Sequence, residues 1–171
     1  KQHVPLNISK SLVLRGEGAE KTHLIFELGG STASSITVRG KEGTGPWINM
    51  VGGYTKGSTT LSLNAAAPTA FQSGSFAVVR QANDPAPMYT DPRWKQDWAE
   101  YAVGQVVKVV SRSGNALTIE EPLRMDYNPS LSPQIRELQV VQYAGIEGLH
   151  FRRRDRGDAH MIEFRWVAYC W

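Results

Sequence analysis

The chain has 171 residues, of which 41% are hydrophobic and 20% are charged, and this composition excludes a disordered tail. Its length predicts one domain, or one domain with a small insertion, and no apolar run approaches the roughly 20 residues of a membrane span. The net charge of +3 permits an anionic partner without requiring one, and the single cysteine, Cys170, excludes an internal disulfide framework.

The two ends of the sequence predict a fragment of a longer protein. The chain begins at Lys1 without a signal peptide and ends on an apolar stretch at Trp171. Because chain termini usually lie in polar surface segments, we expect residues to be missing at both ends.

Residues 1–55 begin a series of short β-strands that continues to about residue 65. Five aliphatic or β-branched runs are each bounded by glycine or asparagine, and their centres are Val13, Ile25, Thr37, Asn49 and Leu61. The centres lie 12 residues apart, so two steps cover 24 residues, about one coil of a parallel β-helix. A β-sandwich has a similar strand spacing, and the rhythm alone does not decide between the two architectures.

Residues 56–127 predict a small antiparallel β module inserted into this series. Two strand-like runs, 105–110 and 116–119, flank the turn Ser113-Gly114-Asn115 and predict a hairpin. We expect the module to have its own core, formed by Leu61, Leu63, Phe76, Val78, Val107, Val109 and Ile119.

One short helix is predicted over 92–102 within this module. Asp91 has the character of an N-cap, and Pro92 suits the first helical position. Helical spacing would place three aromatic residues on one face: Trp94, Trp98 and Tyr101. We interpret this stripe as core packing, and the alternative is a glycan groove in which the rings stack on sugars.

Residues 128–171 resume the strands. Runs at 138–141, 145–151 and 161–167 are separated by turns and by the charged loop 152–158, and the last run alternates apolar and polar residues. A stacked core is predicted for Leu12, Leu14, Leu24, Phe26, Ile146, Leu149, Phe151, Ile162 and Phe164.

Two of these segments resemble a known family. The stretch Ile8–Leu24, with Leu-Arg-Gly-Glu-Gly at 14–18, is similar to the early coil of right-handed parallel β-helix proteins of the pectate-lyase superfamily. The stretch Ala144–Phe151 is similar to the rung opener of that family, and 162–171 is similar to the next rung. The resemblance covers 8–30 and 140–171, and the middle is similar to a β module inserted in some relatives.

The resemblance implies an all-β fold: right-handed parallel β-helix coils with an inserted antiparallel module and one short helix. It implies a secreted or periplasmic carbohydrate-active protein, a polysaccharide lyase or glycoside hydrolase whose catalytic coils lie beyond this chain. The catalytic residues are therefore unknown. No cofactor is identified, although the family leaves Ca²⁺ open for the full-length protein. The alternatives are a non-catalytic glycan-binding or adhesin-like β-helix and a surface or phage fibre subunit.

The candidate substrate-binding residues are mostly charged and lie near residue 155: Arg152, Arg154, Asp155, Asp158 and His160, together with Trp47. Arginine pairs with carboxylates in a bidentate fork, so the predicted partner is a polysaccharide, possibly an acidic one. Strand alternation would send Arg152 and Arg154 to one side and Arg153 to the other.

A solvated turn, in which the two aspartates offset the arginines, is the competing interpretation of this cluster. No aromatic residues interleave with the arginines, so a nucleic-acid partner is not favoured. The sequence predicts no metal site and no membrane partner, and it leaves the oligomeric state undetermined.

Overall fold

The computed structural model describes residues 1–171 and consists mostly of short strands. In chain order the strands are β1 Leu6–Ile8, β2 Val13–Arg15, β3 His23–Phe26, β4 Ile36–Arg39, β5 Lys41–Glu42, β6 Ile48–Gly52, β7 Thr60–Leu63, β8 Phe76–Gln81, β9 Val103–Ser113, β10 Ala116–Ile119, β11 Gln134–Gln139, β12 Val141–Gln142, β13 Gly145–Glu147, β14 His150–Arg153, β15 Ile162–Arg165 and β16 Val167–Ala168. Helical structure is limited to α1 Pro85–Met88 and 3-10 turns at Pro92–Trp94, Asp97–Ala99 and Pro129–Leu131.

The chain forms two compact units, and the predicted all-β class is confirmed. The first unit contains Lys1–Glu42 and Gln139–Trp171, and the second contains Gly43–Leu138. The sequence placed the boundaries of the module at 56 and 127 instead. The structural boundaries differ because β6 and β11 pair with the strands of the second unit.

Parallel pairing organises the first unit. The successive strands β2, β3 and β4 lie in register beside β13, β14 and β15, in the same order. Strand β1 pairs with the other edge of β4, and β12 pairs with β16, again in parallel. Two segments distant in sequence therefore lie side by side in parallel and in register.

Inward-facing aliphatic and aromatic residues fill the first unit. Phe26, Ile36 and Val38 are completely buried, and they alternate with exposed or half-buried neighbours along their strands. Leu14, Leu24, Ile146, Phe151 and Ile162 pack against this core as predicted.

Three residues predicted for the stacked core lie outside it, and one of them, Leu149, is half-buried. The side chain of Leu12 is 42% exposed and that of Phe164 is 40% exposed. Leu12 precedes β2 and so lies outside the alternation of that strand. Phe164 is in register with Val38, but it lies on β15 at the edge of the three-stranded sheet, where no further strand covers it.

The second unit is a closed antiparallel barrel. Its strands pair in the ring β6-β7-β10-β9-β8-β11, and β11 returns to β6. Closure leaves no unpaired sheet edge within this ring. The predicted hairpin is confirmed as β9 and β10, and Gly114 adopts a left-handed conformation in its turn.

The interior of the barrel contains the residues that the sequence assigned to the module core, with two exceptions. Leu61, Leu63, Val107, Val109 and Ile119 belong to this core and are at most 2% exposed, whereas Phe76 is 7% exposed but lies outside it. Val78 is half-buried, because it lies between the inward-facing Ala77 and Val79 of β8.

The predicted helix over 92–102 is wrong. Asp91 does cap a helical start, since its side chain accepts from the Arg93 N–H, but the turn ends at Trp94. Lys95 and Gln96 have extended backbones, so the aromatic residues no longer follow helical spacing. Trp94 is 60% exposed and Trp98 is 87% exposed, so the interpretation of the stripe as core packing is also wrong. None of the helical segments has the length and apolar character required to cross a bilayer.

Candidate functional site

The predicted arginine cluster divides into exposed and buried members, as strand alternation indicated. Arg152 and Arg154 are exposed, whereas the side chain of Arg153 is only 8% exposed. The Arg154 guanidinium lies 3.5 Å from a carboxylate oxygen of Glu27. Arg152 therefore remains available for contact at the surface, Arg154 is exposed but paired with Glu27, and Arg153 is not available.

Asp155 has a structural role together with Arg153. Its carboxylate accepts from the backbone N–H of Leu28 at 3.0 Å and of Gly30 at 2.8 Å, and it lies 3.2 Å from Arg153. The Arg153 guanidinium and the two N–H donors hold the pKa of Asp155 far below its usual range. Because these contacts anchor the turn after β3, the carboxylate is already occupied by its own chain.

The remaining predicted site residues do not converge. Asp158 and His160 are exposed on the segment before β15. Trp47 belongs to the second unit, where the Arg80 guanidinium lies 3.4 Å and the Arg136 guanidinium 4.3 Å from its ring centroid. The indole of Trp47 is thus already in contact with two cations of its own unit.

A groove that the sequence did not predict lies on the outer face of the sheet β1-β4-β15. It has a volume of about 400 Å³. The register of the parallel strands places Asn7, Thr37 and Glu163 side by side, one on each strand. Adjacent strands are about 4.8 Å apart, so an amide, a hydroxyl and a carboxylate form one polar row across the sheet.

A second row, two residues further along the same face, is basic. Arg39 and Arg165 are in register on β4 and β15, and both are exposed. The indole of Trp166 lies 4.7 Å from the Arg39 guanidinium and 4.4 Å from that of Arg165. The electron-rich ring face attracts both cations, which offsets part of the repulsion between two like charges on neighbouring strands.

Backbone strain at Trp166 accompanies this arrangement. Trp166 has φ of 53°, a left-handed conformation that costs a residue with a side chain about 1–2 kcal/mol. Its carbonyl oxygen accepts from the Val141 N–H at 3.1 Å and lies close to Gly40, where a Cβ atom would clash with it. Strain of this kind is concentrated at functional sites in proteins.

We call this surface the Arg39 groove and define it by Asn7, Ser9, Thr37, Arg39, Lys41 and Glu163. The Ser34 hydroxyl donates to Glu163 at 3.1 Å and orients that carboxylate. A second depression of about 320 Å³ shares Arg39 and Lys41 and is also lined by Gln139 and Val141. Together the two depressions suit an extended ligand, and their donors and acceptors suit hydroxyl and carboxylate groups.

Sequence reasoning missed this groove because the groove depends on strand register. Thr37 and Arg39 alternate with buried Ile36 and Val38, and Glu163 and Arg165 alternate in sequence with the apolar residues Ile162, which is half-buried, and Phe164, which is exposed. This alternation was the available signal. It identifies outward positions, but only the parallel pairing of β4 with β15 brings the two sets together.

Comparisons with known proteins identify structural relatives only. No protein-family model matches the chain, and no curated protein matches it, so neither comparison supports the pectate-lyase superfamily in particular. Among solved structures, the tailspike gp61 of Pseudomonas phage phi297 has a TM-score of 0.67 at 18% identity, and the match covers 98% of this chain and 26% of that protein.

Two further tailspikes are similar. The tailspike gp49 of Pseudomonas phage LKA1 has a TM-score of 0.52 at 18% identity, covering 84% of this chain and 25% of that protein. The gp54 tailspike of Acinetobacter baumannii phage AP22, solved in complex with a capsular saccharide, has a TM-score of 0.56 at 13% identity, covering 97% of this chain and 28% of that protein. The chain spans about a quarter of the length of these tailspikes, and its fold resembles part of each.

Proposed function

We propose that this chain is part of an extracellular fibre subunit of the phage-tailspike kind, and that its Arg39 groove binds an acidic bacterial surface polysaccharide. In this proposal the parallel strands of the first unit are coils of a right-handed β-helix. The likeness to three tailspikes, one of them solved with a capsular saccharide, favours a fibre subunit over a secreted lyase or hydrolase.

The observation that carries the proposal is the pair of rows on the sheet β1-β4-β15. Arg39 and Arg165 extend from adjacent strands in register, so one uronate carboxylate can bridge the two guanidinium groups. Lys41 also lines the groove, so Arg39, Arg165 and Lys41 contribute three positive charges. The only negative charge among these site residues is that of Glu163. The row of Asn7 and Thr37 offers hydrogen bonds to sugar hydroxyls beside it.

Binding, rather than cleavage, is the role we propose for the residues of this chain. Glycoside hydrolases ordinarily use two carboxyl groups that flank the scissile bond. The lining of the Arg39 groove contains one, Glu163, which accepts a hydrogen bond from Ser34.

The proposal is tested by titrating the protein with an oligogalacturonate and with the same oligosaccharide after carboxyl reduction. We expect only the acidic form to bind, with an affinity that falls as salt is added, because exposed charges are screened within about 8–10 Å at moderate ionic strength. The double variant Arg39→Ala, Arg165→Ala should bind about tenfold more weakly, equivalent to about 1.4 kcal/mol.

The double variant Arg152→Ala, Arg154→Ala is the matched control, because it removes the same two charges from another exposed surface of the first unit. Unchanged binding by this control would assign the ligand to the Arg39 groove. Loss of binding in the control alone would assign it to the Arg152 and Arg154 surface instead. Equal binding of the acidic and the reduced oligosaccharide would refute an acidic ligand.

A further inference from the structure

Two histidines lie side by side on the outer surface of the first unit. His23 of β3 and His150 of β14 are in register in their parallel pair, and both are exposed. Their ring centroids are 4.9 Å apart, and the ring planes are tilted by 41°. The backbone N–H of His150 donates to the carbonyl oxygen of Thr22 at 2.9 Å, which fixes the two strands at this point. No local spacing in the sequence links the two histidines, because only strand register brings them together.

Both imidazole rings are open to a ligand. Neither ring makes a hydrogen bond or an ion pair within the chain, and the one aromatic contact of each is with the other. A metal ion binds an imidazole nitrogen in the plane of the ring, so two rings stacked in parallel cannot share one ion. Planes tilted by 41° intersect, and an ion on the line of intersection lies in both.

The separation of the two rings suits two ligands of one ion. Zn–N bonds of about 2.0–2.1 Å at near-tetrahedral angles place the centroids of two ligating imidazoles roughly 5 Å apart. The 4.9 Å between His23 and His150 therefore requires little movement of either side chain. No third histidine, cysteine or carboxylate completes a cluster with them, so water would fill the remaining coordination positions.

The ligand type selects a transition-metal ion. Imidazole nitrogen suits Zn²⁺, Cu²⁺ and Ni²⁺, whereas Mg²⁺ and Ca²⁺ bind through oxygen. Arg152 follows His150 by two residues and lies on the same face of β14, so its charge disfavours an ion held by electrostatic attraction alone. An ion that forms bonds to nitrogen is therefore favoured over one that needs carboxylates.

We propose that His23 and His150 form a binding site for a divalent transition-metal ion, and that the bound ion clamps β3 to β14. The two strands belong to segments that are separated in sequence by the whole second unit. Because the histidines are far apart in the unfolded chain, the ion binds the folded state preferentially and stabilises it. The site does not depend on the proposed polysaccharide binding, because neither β3 nor β14 lines the Arg39 groove.

Calorimetric titration with Zn²⁺ tests the site, and Mg²⁺ is the control ion. His23→Gln and His150→Gln are the test variants. His3→Gln and His160→Gln are the matched controls, because both of these histidines are exposed and lie outside the pair. We expect each test variant to bind Zn²⁺ at least tenfold more weakly than the parent, since even the outer partners of a metal site contribute about 10–100-fold. The controls should bind Zn²⁺ as the parent does, and Mg²⁺ should not bind.

Thermal unfolding gives a second readout. At a Zn²⁺ concentration tenfold above the dissociation constant of the parent, the melting temperatures of the parent and the controls should rise by about 3–6 °C. Those of the test variants should rise by less than about 2 °C. Without Zn²⁺ all of the proteins should melt together, because each substituted side chain is exposed.

Three results would each overturn the proposal. The first is equal Zn²⁺ affinity in the parent and in either test variant. The second is a loss of binding in His3→Gln or His160→Gln as large as that in the test variants, which would place the ion elsewhere. The third is a parent protein that binds no Zn²⁺ at millimolar concentration, or that binds Mg²⁺ as tightly as Zn²⁺.

Discussion

The clamp formed by Arg153 and Asp155 gives the sharpest prediction about stability. Arg153 donates to the carbonyl oxygens of Ser31 at 2.5 Å and Ala33 at 3.0 Å, besides its ion pair with Asp155. Hydrogen bonds made by charged groups contribute about 1.5–3 kcal/mol, and loss of one partner from a buried ion pair costs about 3–5 kcal/mol. Because Asp155 keeps the N–H donors of Leu28 and Gly30, we expect Arg153→Ala to cost about 2–4 kcal/mol.

Urea unfolding followed by circular dichroism would measure this loss. Arg152→Ala is the matched control, because it deletes an equal side chain from an exposed position one residue away. We expect its free energy of unfolding to stay within about 0.5 kcal/mol of the parent. Should Arg153→Ala also stay within that margin, or should Arg152→Ala cost as much, the reasoning about the clamp fails.

Three other substitutions test the remaining features. Trp98→Ala should leave the melting temperature unchanged, because 87% of the side chain is exposed, and a clear drop would restore the packing interpretation. Tyr127 is 2% exposed, its hydroxyl has no hydrogen-bond partner, and burial raises the pKa of that hydroxyl. Tyr127→Phe should therefore leave the free energy of unfolding in urea unchanged or increase it. A decrease of more than about 1 kcal/mol would reveal a partner of the hydroxyl. The depressed pKa of Asp155 means that the unfolded chain takes up a proton below about pH 4 before the folded chain does, so stability falls as pH falls there. Asp155→Asn should make that fall shallower in acid titrations, and an unchanged slope would argue against the shift.

The strands could be predicted from sequence because each run of aliphatic residues is bounded by turn formers, but the direction of pairing could not. The runs centred on Asn49 and Leu61 continue the spacing of those centred on Val13 and Ile25. Nevertheless, the strands centred on Asn49 and Leu61 pair antiparallel with each other in the barrel. The strands centred on Val13 and Ile25 pair in parallel with β13 and β14. Alternation along one strand records which face is buried and contains no information about the neighbouring strand.

The candidate site could be predicted only in part for a related reason. The separation of Arg152 and Arg154 from Arg153 followed from alternation within one strand. The role of Asp155 depends on the distant N–H groups of Leu28 and Gly30, which no local pattern indicates. The helix prediction failed although the predicted N-cap, Asp91, is present. Nothing in the local sequence indicates the extended backbone that follows Trp94.

The position of the barrel in the sequence, between the two segments that pair in parallel in the first unit, bears on how the chain folds. Arg15 and Glu147, which pair across these segments, are 132 residues apart, whereas two steps of the predicted strand rhythm span 24 residues. Closing the longer loop costs about 1.5 kcal/mol more, at about 0.6 kcal/mol for each doubling of length. The barrel removes most of this cost once it is folded, because its first residue, Gly43, is hydrogen bonded to Glu137 near its end. Substitutions that unfold the barrel should therefore slow the parallel pairing of the strands in the first unit, even when every residue of that unit is left intact.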